Sequence, residues 1–406
     1  MNGELIKEIQ EIRKSFGNLI HYTLLSKSHT FSRMCNNEVY LKLENLQRTG
    51  SFKIRGAYNK ISKLTKDQKK NGIITASAGN HGQAVAFVSG IFNIKSIVVV
   101  PEGAPIVKIE AIKNYNLDGE VIEFGSSYDE AYKEALKISK KRNLTFIHAY
   151  DDIEVIKGQG TIAVEIMEQL PDVEYIFCPI GGGGLISGIS SYCKEINPSV
   201  KIIGVESENA RSMQESFIKN EIAIIPSNTT ICDGIAVKKP GNLTFEIIKE
   251  RVDDIILVSD EEVANSILLL MERAKFFVEG AGAAALAAVL NNKVQIKDKK
   301  IVVILSGGNL TPNLISRIIS KGLIKEGRLL KFKLTILDRP GELLKILNII
   351  AQQKGNIISI IHDRERLELE YQKSEVIIEL ETRNFGHINQ IISKLKEQFK
   401  IEILAF

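Results

Sequence analysis

Lys53 stands in the run Thr49-Gly50-Ser51-Phe52-Lys53-Ile54-Arg55-Gly56, directly after an aromatic residue. Thr49 and Ser51 can cap a helix starting near Phe52, because hydroxyls accept from a helix's first, unpaired N–H groups. Lys53 then falls in the first turn, where the positive end of the helix dipole disfavours an ammonium. Burial beside an aromatic pushes the same way, towards a neutral amine. Such an amine can form a Schiff base with a carbonyl cofactor or take a proton from carbon. Taken alone, a surface lysine at a helix start is the plainer reading.

Two further stretches are suited to anions. Gly181, Gly182, Gly183, Gly184 and Leu185 follow the apolar Cys178-Pro179-Ile180. Without Cβ atoms this backbone can curl several N–H groups onto one anion at the start of the next helix. A plain flexible loop is the competing reading, and four consecutive glycines favour the cradle. Ser77, Gly79, Asn80 and His81 form a second strand-to-helix junction whose N–H groups make another anion pocket. Glu279 enters the apolar run Gly280-Ala281-Gly282-Ala283, where a carboxylate is costly to bury without a partner. An active-site role accounts for it.

Positioning these residues takes rigid elements. Apolar runs at 73–76, 96–100, 120–124, 146–148, 175–179, 201–206, 255–258 and 301–305 read as strands. Segments with helical periodicity, such as 126–142 and 155–169, lie between them. This alternation predicts an α/β fold of parallel sheets covered by helices on both faces. Ligands in such sheets bind beyond the carboxyl ends of strands, where the 77–81, 181–185 and 306–309 stretches fall. Residues 322–328 break the pattern with two glycines and mixed charge, and predict a domain boundary. Beyond them, strands at 331–336, 356–362, 375–381 and 401–404 alternate with helices at 340–353 and 387–398. That order is the ferredoxin-like βαββαβ unit.

Five stretches in this order, at 51–57, 75–83, 181–185, 233–237 and 306–309, resemble the fold-type II pyridoxal-phosphate (PLP) enzymes, and most closely the threonine ammonia-lyases. The resemblance runs from about residue 20 to about residue 321. It implies a two-domain fold like the tryptophan synthase β chain, within a catalytic part at 1–325 whose small subdomain, about 47–148, is inserted in the large one. It also implies PLP held covalently by Lys53, its ring between Phe52 and Gly234, and its phosphate on Gly181, Gly182, Gly183, Gly184 and Leu185. Ser306 partners the pyridine nitrogen, Asn80 contacts the phenolic oxygen, and Glu279 stands nearby. Ser77, Gly79, Asn80 and His81 take the substrate carboxylate, although His81 can equally serve only to orient the loop.

Threonine would yield 2-oxobutanoate and serine pyruvate, each with ammonia, and the residues do not rank the two. A serine racemase shares these motifs but carries a serine where this chain has Ala78, which cannot exchange a proton. A non-catalytic amino-acid sensor is the third reading, opposed by the intact Lys53, glycine run and Ser306. The family's cation site matches at Glu206 and Ala210, but Ser212 replaces an aspartate, so no metal is expected.

Residues 337–343, Leu-Asp-Arg-Pro-Gly-Glu-Leu, resemble the opening of an ACT domain, here 329–406. That resemblance implies an amino-acid effector held by Asp338, Arg339, Gly341 and Asn356, with Asp338 and Pro340 starting a helix and Asn356 facing them from the adjacent strand. It also implies a homo-oligomer, dimer or tetramer.

Composition excludes other classes. The net charge of +4 is spread over 406 residues with no basic block, so nucleic-acid binding has no support. Cys35, Cys178, Cys193 and Cys232 form no C-x-x-C pair and lie near no histidine at ligand spacing, which argues against zinc and a disulfide framework. Free thiols suit a reducing cytoplasm. The first fourteen residues lack the apolar run of a signal peptide, and the apolar stretch 281–290 is too short to span a bilayer.

Overall fold

Two compact units, Met1–Leu310 and Thr311–Phe406, divide the chain in the computed structural model, which describes residues 2–115, 118–226, 228–365 and 367–405. The first unit holds ten strands: β1 Leu25–Lys27, β2 Glu38–Lys42, β3 Ile73–Ala76, β4 Ser96–Val100, β5 Glu120–Glu123, β6 Thr145–Phe146, β7 Tyr175–Pro179, β8 Lys201–Ser207, β9 Asp254–Val258 and β10 Lys300–Ile304. The larger sheet runs β1-β2-β10-β7-β8-β9, and only the edge strand β1 is antiparallel. The smaller sheet, β5-β4-β3-β6, is parallel throughout. Helices cover both faces of a parallel sheet, so its central strands are continuous apolar runs. Ile301, Val302, Val303 and Ile304 of β10 are fully buried. The three-residue β1 and the helix His29–Cys35, capped by the Ser28 side chain, are too short to leave a periodic signal.

The helix carrying the key lysine begins at Lys53 itself and ends at Ser62. The expected hydroxyl cap is not made. Its N-cap is Phe52, with no side-chain bond, and the buried hydroxyls of Thr49 and Ser51 have no partner among the described residues. Ser51 instead forms a strand-like bridge with Gly307, and the Phe52 N–H donates to the Ser306 carbonyl at 3.1 Å. Backbone pairing with the loop after β10 therefore sets this helix start.

A buried charge network holds the same helix from beneath. Arg55 donates to both carboxylate oxygens of Glu44 at 2.8 Å and to Glu165 at 2.8 Å. Lys42 donates to Glu165 at 2.6 Å, and all four side chains are fully buried. Because Glu165 lies on the helix Ile153–Gln169, the network ties the lysine-bearing helix to that helix and to β2.

The second unit contains β11 Leu329–Leu337, β12 Asn356–Asp363, β13 Lys373–Glu381 and β14 Ile401–Ala405, in the antiparallel order β12-β13-β11-β14. With helices Glu342–Gln352 and Phe385–Lys396 this is the ferredoxin-like unit. Phe332, Leu334, Ile346, Ile350, Ile378, Ile388 and Ile391 form its core.

Two expectations for this unit are corrected. The first helix starts at Glu342, after Gly341 in a left-handed conformation (φ 94°), so Pro340 precedes it. Asp338 does not cap it, and instead accepts from Arg364 Nε at 2.9 Å. Nor does Asn356 face Asp338 from an adjacent strand within one copy, because β13 lies between β12 and β11. Asn356 and Leu329 both pair with Glu381, whereas Leu337, just before Asp338, pairs with Lys373. Asn356 thus sits at the opposite end of the sheet.

Candidate active site

The loops after β3, β6, β7 and β10 open onto one cleft of about 1020 Å³ in the first unit. Phe52, Lys53, Ser77, Gly79, Asn80, His81, Gly181, Gly182, Gly183, Gly184, Leu185, Gly234, Glu279 and Ser306 all line it. Residues from five separate stretches converge there because the loops beyond the carboxyl ends of strands in both sheets line it. Asp338, Arg339, Gly341 and Asn356 belong to the second unit.

Lys53 Nζ donates to the Ala149 carbonyl at 3.0 Å, across the cleft from its own helix. Desolvation lowers its pKa from 10.5 to about 8, with the Glu279 carboxylate pulling the other way. Lys53 therefore gives up its proton more readily than a solvated lysine does. Its reactivity should rise with pH through a midpoint near 8, because only the neutral amine has a lone pair. Limited acetylation of the apo-protein, read by peptide mass spectrometry across pH, checks this. A midpoint near 10.5, the value of a solvated lysine, would contradict it.

The glycine run caps the helix Gly184–Ile196 through Gly183, whose φ of 95° is left-handed, and no side chain caps that helix. No acceptor among the described residues takes the N–H groups of residues 181–185. The cradle thus has free donors and a helix N-terminus behind it, which fits the phosphate of PLP. Thr244 Oγ1 holds it by donating to the Gly182 carbonyl at 2.6 Å. The Tyr150 ring packs so closely that a Cβ on Gly182 would collide with it. Gly182→Ala should cost about 1–3 kcal/mol of overpacking at the cradle. That corresponds to roughly five- to 150-fold weaker PLP binding, measured by titrating the apo-protein. Unchanged affinity would remove the loop from the phosphate site.

Polar groups of defined orientation gather elsewhere in the cleft. Asn80 Nδ2 donates to Glu279 Oε1 at 2.6 Å. Burial pushes the Glu279 carboxyl up to about 7, Asp233 adds to this, and the Asn80 bond opposes it. His81 is buried, and its Nε2 lies 3.0 Å from the Ile147 carbonyl, so that nitrogen carries the proton. Desolvation lowers its pKa to about 3, which leaves a neutral ring orienting the loop. Ser306 presents a buried hydroxyl to the cleft, a neutral partner of the kind a pyridine nitrogen accepts.

Glu206 accepts from the N–H groups of Met213 at 3.0 Å and Gln214 at 2.7 Å. Ser212 Oγ donates to the Val237 carbonyl at 2.6 Å. Among the described residues no group of three or more potential metal ligands occurs.

Sequence reading missed Tyr150, Thr244 and Asp151. Asp151 caps the helix Asn242–Arg251 by accepting from the N–H groups of Asn242, Leu243 and Thr244. Tyr150 and Asp151 lie just beyond β6, so the rule that placed the other loops had the signal to find them.

Known proteins agree with this geometry. A family described as pyridoxal-phosphate dependent enzyme matches residues 18–307. The L-threonine ammonia-lyase of Thermotoga maritima is 47% identical over 386 residues, which cover 95% of this chain and 96% of that one. Among solved structures, the processed form of threonine deaminase isoform 2 from Solanum lycopersicum aligns with a TM-score of 0.74 at 36% identity, over 79% of this chain and 94% of that one. Maize serine racemase aligns with a TM-score of 0.73 at 33% identity, over 78% and 97%. At this identity and coverage, the chain belongs to the family of pyridoxal-phosphate dependent enzymes.

Proposed function

We propose that this enzyme converts L-threonine to 2-oxobutanoate and ammonia by eliminating water across the Cα–Cβ bond, and that L-serine gives pyruvate at the same site. The observation that carries this reading is the Lys53 amine, desolvated and facing the same cleft as the uncommitted N–H groups of the glycine run. When bound, PLP supplies an electron sink that acidifies the Cα–H of the amino acid joined to it.

The chain's own residues do the rest. The backbone of residues 181–185 holds the phosphate, Phe52 and Gly234 flank the ring, and Ser306 offers its hydroxyl to the ring nitrogen. The N–H groups around Ser77, Gly79, Asn80 and His81 orient the substrate carboxylate. Lys53 tethers the cofactor and then accepts the Cα proton as general base. The β-hydroxyl leaves as water, and the released unsaturated amine takes up water to give the 2-oxo acid and ammonia.

Racemisation needs a second proton exchanger on the opposite face. Ala78 lines the cleft and has none to offer, which supports a lyase. The test is a keto-acid assay with L-threonine and L-serine, combined with chiral analysis of residual substrate. The proposal expects 2-oxobutanoate and ammonia in equal amounts and no D-amino acid. Enantiomer accumulating faster than keto acid would make the protein a racemase.

The proposed regulatory part is 329–406, following a catalytic part at 1–325. It binds a branched-chain amino acid, isoleucine or valine, at Asp338, Arg339 and Gly341, with Asn356 contributed by a second copy. The positions of these residues at opposite ends of the sheet support a shared site and hence a homo-oligomer. Calorimetry with isoleucine and valine tests the sensing role, and absence of heat for both would leave the domain a purely assembling part. The four cysteines are free and buried, which supports a cytoplasmic setting. No helix among the described residues is long and apolar enough to cross a membrane.

A further inference from the structure

Asn309, three residues beyond Ser306, has no role in the chemistry above. Its Nδ2 donates at 3.1 Å to the Thr49 carbonyl and at 2.6 Å to Asn80 Oδ1. The two ends of an amide look alike in shape, so orientation must be argued from partners. Here the partners decide it in series. A backbone carbonyl only accepts, so the Asn309 atom facing Thr49 is the nitrogen. That nitrogen donates to Asn80, so the Asn80 atom facing it is the oxygen. The nitrogen of Asn80 is thereby turned to Glu279 Oε1, 2.6 Å away, and into the cleft.

Without Asn309, Glu279 alone would distinguish the two orientations of Asn80, through the single contact at 2.6 Å. A flipped Asn80 would set its oxygen against the Glu279 carboxylate and present an acceptor where the cleft now has a donor. The approach of Asn309 also depends on the loop ahead of Lys53. Gly50 has φ 71°, and a Cβ there would stand 2.5 Å from Asn309 Oδ1. The Gly308 N–H donates to the Gly50 carbonyl at 2.8 Å, holding the two loops together.

We propose that Asn309 is a positioning residue, which locks the Asn80 carboxamide with its N–H groups towards Glu279 and the bound cofactor. It acts through Asn80 and touches no reacting atom. The proposal rests on the reading that Asn80 faces PLP in this cleft.

The test is a double-mutant cycle on PLP affinity, measured by titrating apo-protein, with Asn80→Ala, Asn309→Ala and the double variant. Asn309→Ala alone should weaken binding about three- to tenfold, the scale of one oriented hydrogen bond. In the Asn80→Ala background the same change should alter affinity by less than about twofold, because the group being oriented is gone. Asn309→Asp adds a second discrimination. It fills the same space but cannot donate while ionised, so it turns the Asn80 nitrogen towards itself. It should therefore weaken binding more than Asn309→Ala, whereas a space-filling role predicts the reverse.

Independent, additive effects in the cycle would overturn the proposal, as would wild-type affinity in Asn309→Ala. Asn309→Asp binding better than Asn309→Ala would do the same. None of these titrations needs a substrate. Should the protein not act on threonine, the proposed reaction would fail while the cycle still reported on Asn309.

Discussion

Lys53→Ala is expected to abolish keto-acid formation from threonine while leaving the unfolding transition of the apo-protein near that of the wild type. The lysine has two jobs, cofactor tether and proton acceptor. Loss of a general base alone costs ~100- to 10,000-fold, and loss of the tether adds to that. The fold should survive because among the described residues the Nζ makes one hydrogen bond, to Ala149, and carries an unfavourable desolvation that alanine removes. Steady-state assays with PLP in excess, alongside thermal unfolding of the apo-protein, check both halves. More than about a tenth of wild-type activity would take Lys53 out of the proton-transfer step.

Arg55→Met should have the largest effect on stability. Arg55 makes two hydrogen bonds to the carboxylate of Glu44 and two to that of Glu165, all fully buried. Removing the guanidinium leaves Glu165 paired to Lys42 and Arg13, but takes from the buried Glu44 its ion-pair partner. Breaking a buried pair from one side typically costs about 3–5 kcal/mol, because the charge left behind, here that of Glu44, is buried without its cation. Methionine roughly fills the stem's volume, so the loss reads the charge and not a cavity. The helix that presents Lys53 hangs on this network, so activity should fall as well. Denaturant unfolding of apo-protein measures the change. A loss under about 1 kcal/mol would show that the network contributes little.

Much of this architecture can be read from residues alone. Strands such as β3, β4, β7 and β10 are short apolar runs bounded by helical periods, and the observed spans agree with the expected ones to within a residue. The residues that line the cleft were legible as candidates because each sits just beyond such a strand or in a run of unusual residue types. The orientation of Thr49 and Ser51 was not legible. Their loop is set by backbone pairing to residues 306 and 307, about 250 positions away, and no local pattern encodes that partner. Arg55 looks like an ordinary helix residue until Glu44 and Glu165 are brought to it from other elements. The misplacement of Asn356 has the same origin. Strand order puts β13 between β12 and β11, and sequence adjacency does not reveal it.

The central claim is that Lys53 is the covalent anchor of PLP in this cleft, and borohydride reduction of the holoenzyme tests it most directly. Reduction traps the link between cofactor and protein, and peptide mass spectrometry then locates the pyridoxyl group. The account predicts the group on Lys53, and predicts that L-threonine added before reduction frees that lysine. A pyridoxyl group on any other lysine, or a Lys53 peptide left unmodified in protein that retains its cofactor, would contradict it.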